Sequence, residues 1–245
     1  MEFDILFART FLVVGAMLIL TAVGSGLNKN NVSFNSIVSL VILIALLYIS
    51  LSVSDTFPLN IVLISVFSLF MGWIISPAIQ NLGENFKTRK FLKTRNISLK
   101  KDEILSEEQM NDLEGYLIDN KSDDQWNKII AQAMFSTALA IISTASLVFM
   151  SDIDFSFLGM FLFIALLILI IMGLINFFVF KSRIFTLIKA YCGVLIFTGY
   201  LIYDFDTLEK MAGDESWSTA IHLAINLYLD IINLFLYILE ILSEG

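Results

Sequence analysis

The sequence predicts an all-α integral membrane protein of seven helices, and three observations predict it. Of 245 residues, 58% are hydrophobic and only 16% charged, too little charge to cover a soluble domain of this size. The apolar residues, 22 phenylalanines among them, gather into long runs instead of scattering as core positions would. Those runs do not alternate apolar with polar residues, as the strands of a membrane barrel must. A hydrocarbon core about 30 Å thick takes roughly 20 apolar residues in a helix, and with no water present the backbone must satisfy its own hydrogen bonds.

The expected spans cover residues 6–27, 36–53, 59–79, 129–150, 155–180, 184–203 and 218–242. The start, Met1-Glu2-Phe3-Asp4, is acidic where a cleaved signal wants a basic region, so the first run reads as a span. In the third, Gly72 and Pro77 mark a bend or an end. Thr137, Ala138, Ala140, Ser143, Thr144, Ala145 and Ser146 make the fourth rich in small residues, as close helix contact in lipid requires. The single Cys192 falls inside the sixth.

Between the third and fourth spans lies a hydrophilic insertion, residues 81–128, within a single membrane domain over 1–245. It begins basic (Lys87, Arg89, Lys90, Lys93, Arg95, Lys100, Lys101) and turns acidic (Glu107, Glu108, Asp112, Glu114, Asp119, Asp123, Asp124). Ser106 with Gln109 fits a capping box, and Met110, Leu113 and Leu117 form one face of a short amphipathic helix. A solvated piece of helix is the expected reading, and a docking site for a partner or the bilayer surface the alternative.

Basic residues set the expected orientation. The side bearing the insertion and the C-terminus has Lys29, the seven above with Lys121 and Lys128, Lys181 and Arg183, twelve in all; the other has Arg9 and Lys210. That bias places the insertion in the cytoplasm and the N-terminus outside, although without the insertion it shrinks to three against two.

Several function classes are excluded. No basic face speaks for nucleic acid. One cysteine and one histidine allow neither an internal disulfide nor an ordinary zinc site. No Walker-type glycine loop is present.

The informative anomalies are ionisable residues inside spans. Asp230 lies in the middle of the last one, where an aspartate costs about 2.5–3.5 kcal/mol, and such a residue is by default functional. Asp204 closes the sixth span. The two sit level only if the connection between their helices centres near Trp217. A tight turn at Gly213 would offset them by roughly 8 residues, about 12 Å, so a pair needs an extended connection after Met211. If they meet, two carboxyls in a low-dielectric site share a proton and titrate as one unit. Such a unit can respond to protons near neutrality, and when ionised it offers oxygens to a hard cation such as Ca²⁺. Tyr203, Asp206, Tyr228 and Asn233 flank the pair and are the candidate supporting residues, Asp206 by position the most exposed, at the interface. His222 reads as a satisfied interface histidine, Lys189 as too far from Asp204 to neutralise it, and Glu240 as close enough to the chain end to reach water.

The run from Ile196 to Leu242 resembles the C-terminal signature of the Bax inhibitor-1/YccA-like family. Tyr203-Asp204 matches the end of that family's sixth helix, and Leu227-Tyr228-Leu229-Asp230-Ile231-Ile232-Asn233-Leu234-Phe235 its seventh. Weaker likenesses are Thr137-Ala138, Phe157-Leu158-Gly159, Gly72 with Pro77, and Arg9-Thr10-Phe11. The resemblance implies six helices surrounding a central C-terminal one, a paired-aspartate pH sensor carried here by Asp204 and Asp230, and a pH-dependent Ca²⁺ leak. It further implies a multi-pass protein of a bacterial inner membrane. The N-terminus would then be cytoplasmic, opposite to the basic-residue bias. The long insertion is atypical, and the second and third spans lack the Lys or Arg that some relatives set near the pair.

The expected function is thus a pH-sensitive Ca²⁺ leak and not an enzyme, with the bilayer as partner and Ca²⁺ as cargo. The alternative is a non-transporting regulator of a membrane protease or another membrane partner. An intramembrane aspartyl protease also sets two aspartates on neighbouring helices. That family, however, needs Gly-x-Gly before the second, where Leu227-Tyr228-Leu229 stands, and a Pro-Ala-Leu element, and no proline follows Pro77.

Overall fold

The computed structural model describes residues 4–28, 36–97, 106–118, 120–180 and 182–244. Met1, Glu2, Phe3, Lys29, Lys100, Lys101, Asp119 and Lys181, which entered the N-terminal and charge arguments, lie outside the described residues. Among the described residues, eight α-helices follow in order: α1 (Ile5–Leu27), α2 (Ser36–Ser52), α3 (Leu59–Thr94), α4 (Glu107–Ile118), α5 (Asn120–Phe149), α6 (Leu158–Ile175), α7 (Arg183–Lys210) and α8 (Trp217–Glu244). A π-helical segment, Asn176–Phe180, ends α6. Six of these are long and apolar enough to cross a membrane; α2 is shorter, with 17 residues.

α8 packs against α1, α3, α5 and α7. It buries thirteen of its residues, whereas α6 buries only Leu162 and Leu169. α6 turns Phe161, Phe163, Ile164, Ile168 and Ile171 outward. Apolar surface so continuous is unsuited to water and suited to lipid.

α1 and α3 touch backbone to backbone. A Cβ on Gly24 would stand 2.0 Å from the Leu69 carbonyl oxygen, and one on Gly72 2.0 Å from that of Thr21. Gly72 is therefore a crossing point and not a terminus, and α3 runs on through Pro77 to Thr94. Pro77 has no N–H for the carbonyl of Trp73, one turn earlier. Asn28, the C-cap of α1, supplies the missing donor, its Nδ2 lying 3.0 Å from Trp73 O. Asn28→Ala is expected to destabilise the protein by roughly 1 kcal/mol or more, the cost of leaving a part-buried carbonyl without its donor. In a Pro77→Ala background, where the backbone N–H returns, the same substitution is expected to cost much less. Thermal unfolding of the four proteins in detergent checks this; equal losses in both backgrounds would refute the assignment.

The hydrophilic stretch 81–128 is mostly helix: its basic start extends α3, its acidic end opens α5, and α4 lies between. Trp126 of α5 covers Gly83, where a Cβ would meet the indole at 2.8 Å, and stacks near Phe86 with centroids 5.9 Å apart. Tyr116 of α4 meets Phe91 at 5.6 Å. Lys87 pairs with Asp123 and Arg95 with Asp112. The order of charges thus follows from the basic arm folding against the acidic one, although each exposed pair adds little. The capping box forms in both directions, Ser106 N to Gln109 Oε1 at 3.0 Å and Gln109 N to Ser106 Oγ at 3.3 Å. Leu113 and Leu117 are half-buried, while Met110 is exposed.

The small-residue stripe of α5 is only partly an interface. Ala133, Thr137, Thr144 and Val148 are buried on one face, whereas Ala138, Ser143 and Ser146 point outward. Their positions around the helix decide this, since the buried set recurs at spacings of four and seven.

Candidate functional site

Asp204 and Asp230 are 4% and 7% exposed, on the facing sides of α7 and α8. Their carboxyl groups lie within hydrogen-bonding reach of each other. A carboxylate has no donor, so a hydrogen bond between them requires a proton on one. Oδ2 of each is buried and receives no hydrogen bond from any N–H or hydroxyl among the described residues. No described lysine, arginine or histidine lies within ion-pair distance of either.

The meeting depends on the connection between α7 and α8. Asp204 lies six residues before the end of α7 and Asp230 thirteen after the start of α8. The connection must therefore climb about 10 Å beyond α7. It does so with a turn at Met211–Gly213 followed by three non-helical residues, Asp214 to Ser216. Gly213 adopts φ +92°, a left-handed conformation that glycine reaches without strain. The N-terminal end of α1 holds this arrangement. Asp4 Oδ2 accepts from Gly213 N at 2.9 Å, Arg9 donates to the Glu215 carbonyl, and its guanidinium lies 4.7 Å over Trp217. Asp214 accepts from Thr219 Oγ1 at 2.6 Å and Ser216 N at 2.7 Å, bonds that hold its carboxyl below the usual range.

A sequence model of the family described as "Inhibitor of apoptosis-promoting Bax1" matches residues 118–245, just over half of the chain and both aspartates. The chain belongs to this family. Among its relatives are the Golgi anti-apoptotic protein of vaccinia virus, 40% identical over 115 residues, and LIFEGUARD 4 of Arabidopsis thaliana, 40% identical over 117. Bax inhibitor 1 of Schizosaccharomyces pombe is 38% identical over 117 residues. These alignments take in 46–47% of this chain and 42–47% of the relatives, so the chain spans about half the length of the relatives it matches. The likenesses noted at Arg9-Thr10-Phe11 and at Gly72 with Pro77 lie outside the matched stretch.

In this Bax inhibitor-family bundle the flanking residues go separate ways. Tyr203 lies against Gly159 of α6. The Tyr228 hydroxyl meets Thr21 Oγ1 at 2.6 Å, and Thr21 also bonds the carbonyls of Met17 and Ser68, tying α1, α3 and α8 together. Asn233 Nδ2 donates to Leu229 O at 2.8 Å. None of these contacts is with the pair. Tyr200, a residue the sequence did not single out, sits one turn before Asp204, within electrostatic range of both carboxyls. Its spacing of four from Asp204 was the available signal.

Asp206 corrects an expectation. It is 3% exposed and not interfacial, pairing with Lys210 at 2.6 Å and accepting from Phe155 N at 3.3 Å. The connection between α5 and α6 folds over it, and Lys210 also bonds Asp154 and Ser156. Glu240 is half-buried and does not stand free in water: it pairs with Lys189 of α7 at 3.3 Å. Lys189 is thereby committed far from Asp204, as its position predicted. His222 Nε2 meets Ser54 Oγ at 3.1 Å.

In the connection between α5 and α6, the Lys210 ammonium, helped by Ser156, holds the Asp154 carboxyl well below its ordinary range. A depressed carboxylate contributes stability above its unfolded pKa and loses it as pH falls through the folded one. Lys210→Met is expected to return Asp154 to the ordinary range of about 4 in a carbon-detected NMR titration. It should also lower the unfolding midpoint at neutral pH by stranding Asp206. An unmoved Asp154 titration would show that the contact is not held in solution.

Proposed function

We propose that this protein is a pH-sensitive leak for Ca²⁺, with the Asp204–Asp230 pair as its proton sensor, in a bundle of seven crossings grouped about α8. The observation that carries the reading is the buried carboxyl pair, within reach of each other and with no cation beside it among the described residues. Losing the shared proton would leave two like charges in contact, and separation of α7 from α8 would relieve them. Ca²⁺ takes six to eight oxygens, and no third acidic, histidine or cysteine ligand joins the pair among the described residues. The chemistry therefore suits an ion in transit, not a resident one.

Parity supports seven crossings. The start of α1 shares an end of the bundle with the connection from α7 to α8, while Glu244 meets Arg89 and Arg183 at the other end. α1 finishes toward that second end, and Ser54, in the connection from α2 to α3, lies beside Ser218 and His222 at the first, so α2 has to cross between them. Its 17 residues span about 25 Å, near the thickness of the hydrocarbon core.

The relatives' names tie them to suppression of apoptosis, a role we extend to this chain as the cellular consequence of the leak. A bacterial inner membrane rests on the resemblance alone, since these relatives come from a virus, a plant and a fungus. The test is Ca²⁺ entry into proteoliposomes carrying an internal indicator, followed through a pH jump. Entry should exceed that of protein-free vesicles and change with pH; entry equal to that of empty vesicles at every pH sinks the proposal. Deleting residues 98–119 should leave entry intact; loss of a partner with entry preserved would reveal a separate regulatory role.

A further inference from the structure

The end of the bundle remote from the α7–α8 connection holds a cavity of about 610 Å³ between α3, the π-helical segment, α7 and the end of α8. Two arginines from different helices close there on one carboxylate. Arg89 of α3 donates to Glu244 Oε1 at 2.8 Å and to the Ser243 carbonyl at 2.7 Å. Arg183, at the start of α7, donates to Glu244 Oε2 and to its carbonyl. Among the described residues, two guanidiniums thus face one carboxylate in this cluster. Asn85, Asn176, Ser182 and Thr186 complete a wall of hydrogen-bonding groups. Beside the cavity, Phe178, Val179 and Ile184 are 72%, 69% and 71% exposed, at the level where α6 ends and α7 begins. The opening thus lies where apolar side chains give way to polar ones, at headgroup depth.

We infer that this cavity binds the phosphate of an anionic phospholipid headgroup, with Arg89 and Arg183 as its clamp and Glu244 as an internal carboxylate competing for it. Guanidinium forks match a phosphate diester as they match a carboxylate, by paired N–H donors and full charge. The acyl chains then lie along Phe178, Val179 and Ile184, which favours a lipid over free phosphate. Basic pockets between membrane helices near an anionic leaflet have the field to hold such a ligand. This inference stands apart from the proposed leak, and its test reads binding, not flux.

The test is native mass spectrometry of the full chain in detergent, with dioleoylphosphatidylglycerol, dioleoylphosphatidylcholine or inorganic phosphate added. The anionic lipid should be retained about tenfold or more over the zwitterionic one, since two arginines at about 1 kcal/mol each supply up to roughly thirtyfold and Glu244 offsets part of it. Arg89→Gln with Arg183→Gln should abolish the preference, whereas Glu244→Gln should strengthen it by removing the competitor. Should the double variant not fold, Arg183→Gln alone, at a half-exposed position, should weaken the preference. Equal retention of both lipids overturns the inference, as does loss of the anionic lipid in Glu244→Gln. Binding of inorganic phosphate as tight as that of phosphatidylglycerol overturns it too, because the lipid would then contribute nothing.

Discussion

Ca²⁺ entry through Asp230→Asn protein is expected to be flat with pH, where the wild-type chain responds. One proton is shared between two carboxyls, and a conformational equilibrium coupled to one proton moves by at most about tenfold per pH unit. An amide in place of either carboxyl removes that proton and that slope. It also keeps the contact, because the amide N–H donates to the remaining carboxylate. Both single variants should therefore fold, with monodisperse elution in detergent as the check. Asp204→Asn should act in the same way, and the double variant should add nothing, since the two residues work as a unit. Asp230→Ala is different: it leaves Asp204 buried without a partner, and should cost roughly 1–3 kcal/mol of stability besides. A single Asp→Asn variant that retains the full wild-type response would remove the pair from the mechanism. Tyr200→Phe offers a gentler probe, expected to shift the response without flattening it, as the hydroxyl is within electrostatic range of both carboxyls.

The second large effect concerns the crossing of α1 and α3. Gly24→Ala places a methyl 2.0 Å from the Leu69 carbonyl oxygen and 2.8 Å from its carbon, atoms of backbone that cannot swing aside. The helices must part, and roughly 3 kcal/mol or more of stability is expected to go with the close packing. Gly72→Ala meets Thr21 O at the same 2.0 Å and should behave alike. At Gly15 and Gly26 of α1, an added methyl would have nothing within 4 Å of it. Alanine there should be neutral or stabilising by up to about 1 kcal/mol, the ordinary gain over glycine in a helix. Thermal unfolding in detergent separates the two classes; Gly24→Ala melting with Gly15→Ala would mean that the helices do not cross so closely. The damage should reach the aspartates. Thr21, three residues from Gly24, holds Tyr228 at 2.6 Å, two residues from Asp230.

The spans were legible in the sequence because a hydrocarbon solvent selects on length and composition, both properties of contiguous residues. Asp230 was legible for the same reason, as a charge where lipid tolerates none. The capping box of α4 was too, being three residues wide. The continuation of α3 past Pro77 was not, since it depends on Asn28 supplying a donor from 45 residues away. Nor was the burial of Asp206, which rests on the connection between α5 and α6 closing over it with Phe155 N, 51 residues distant. Position near a span end placed Asp206 and Glu240 at water; partners on other segments bury the first and half-bury the second.

By itself, then, the sequence determined a membrane-embedded helical protein, the approximate place of each span, its family signature and the two acids worth watching. Only the tertiary structure decided that those acids touch. Their helices are joined by a connection whose climb is held by Asp4 and Arg9, more than two hundred residues earlier in the chain. Composition acts along the chain and can be read there, whereas the level at which two helices meet is settled by contacts between segments that no local pattern records.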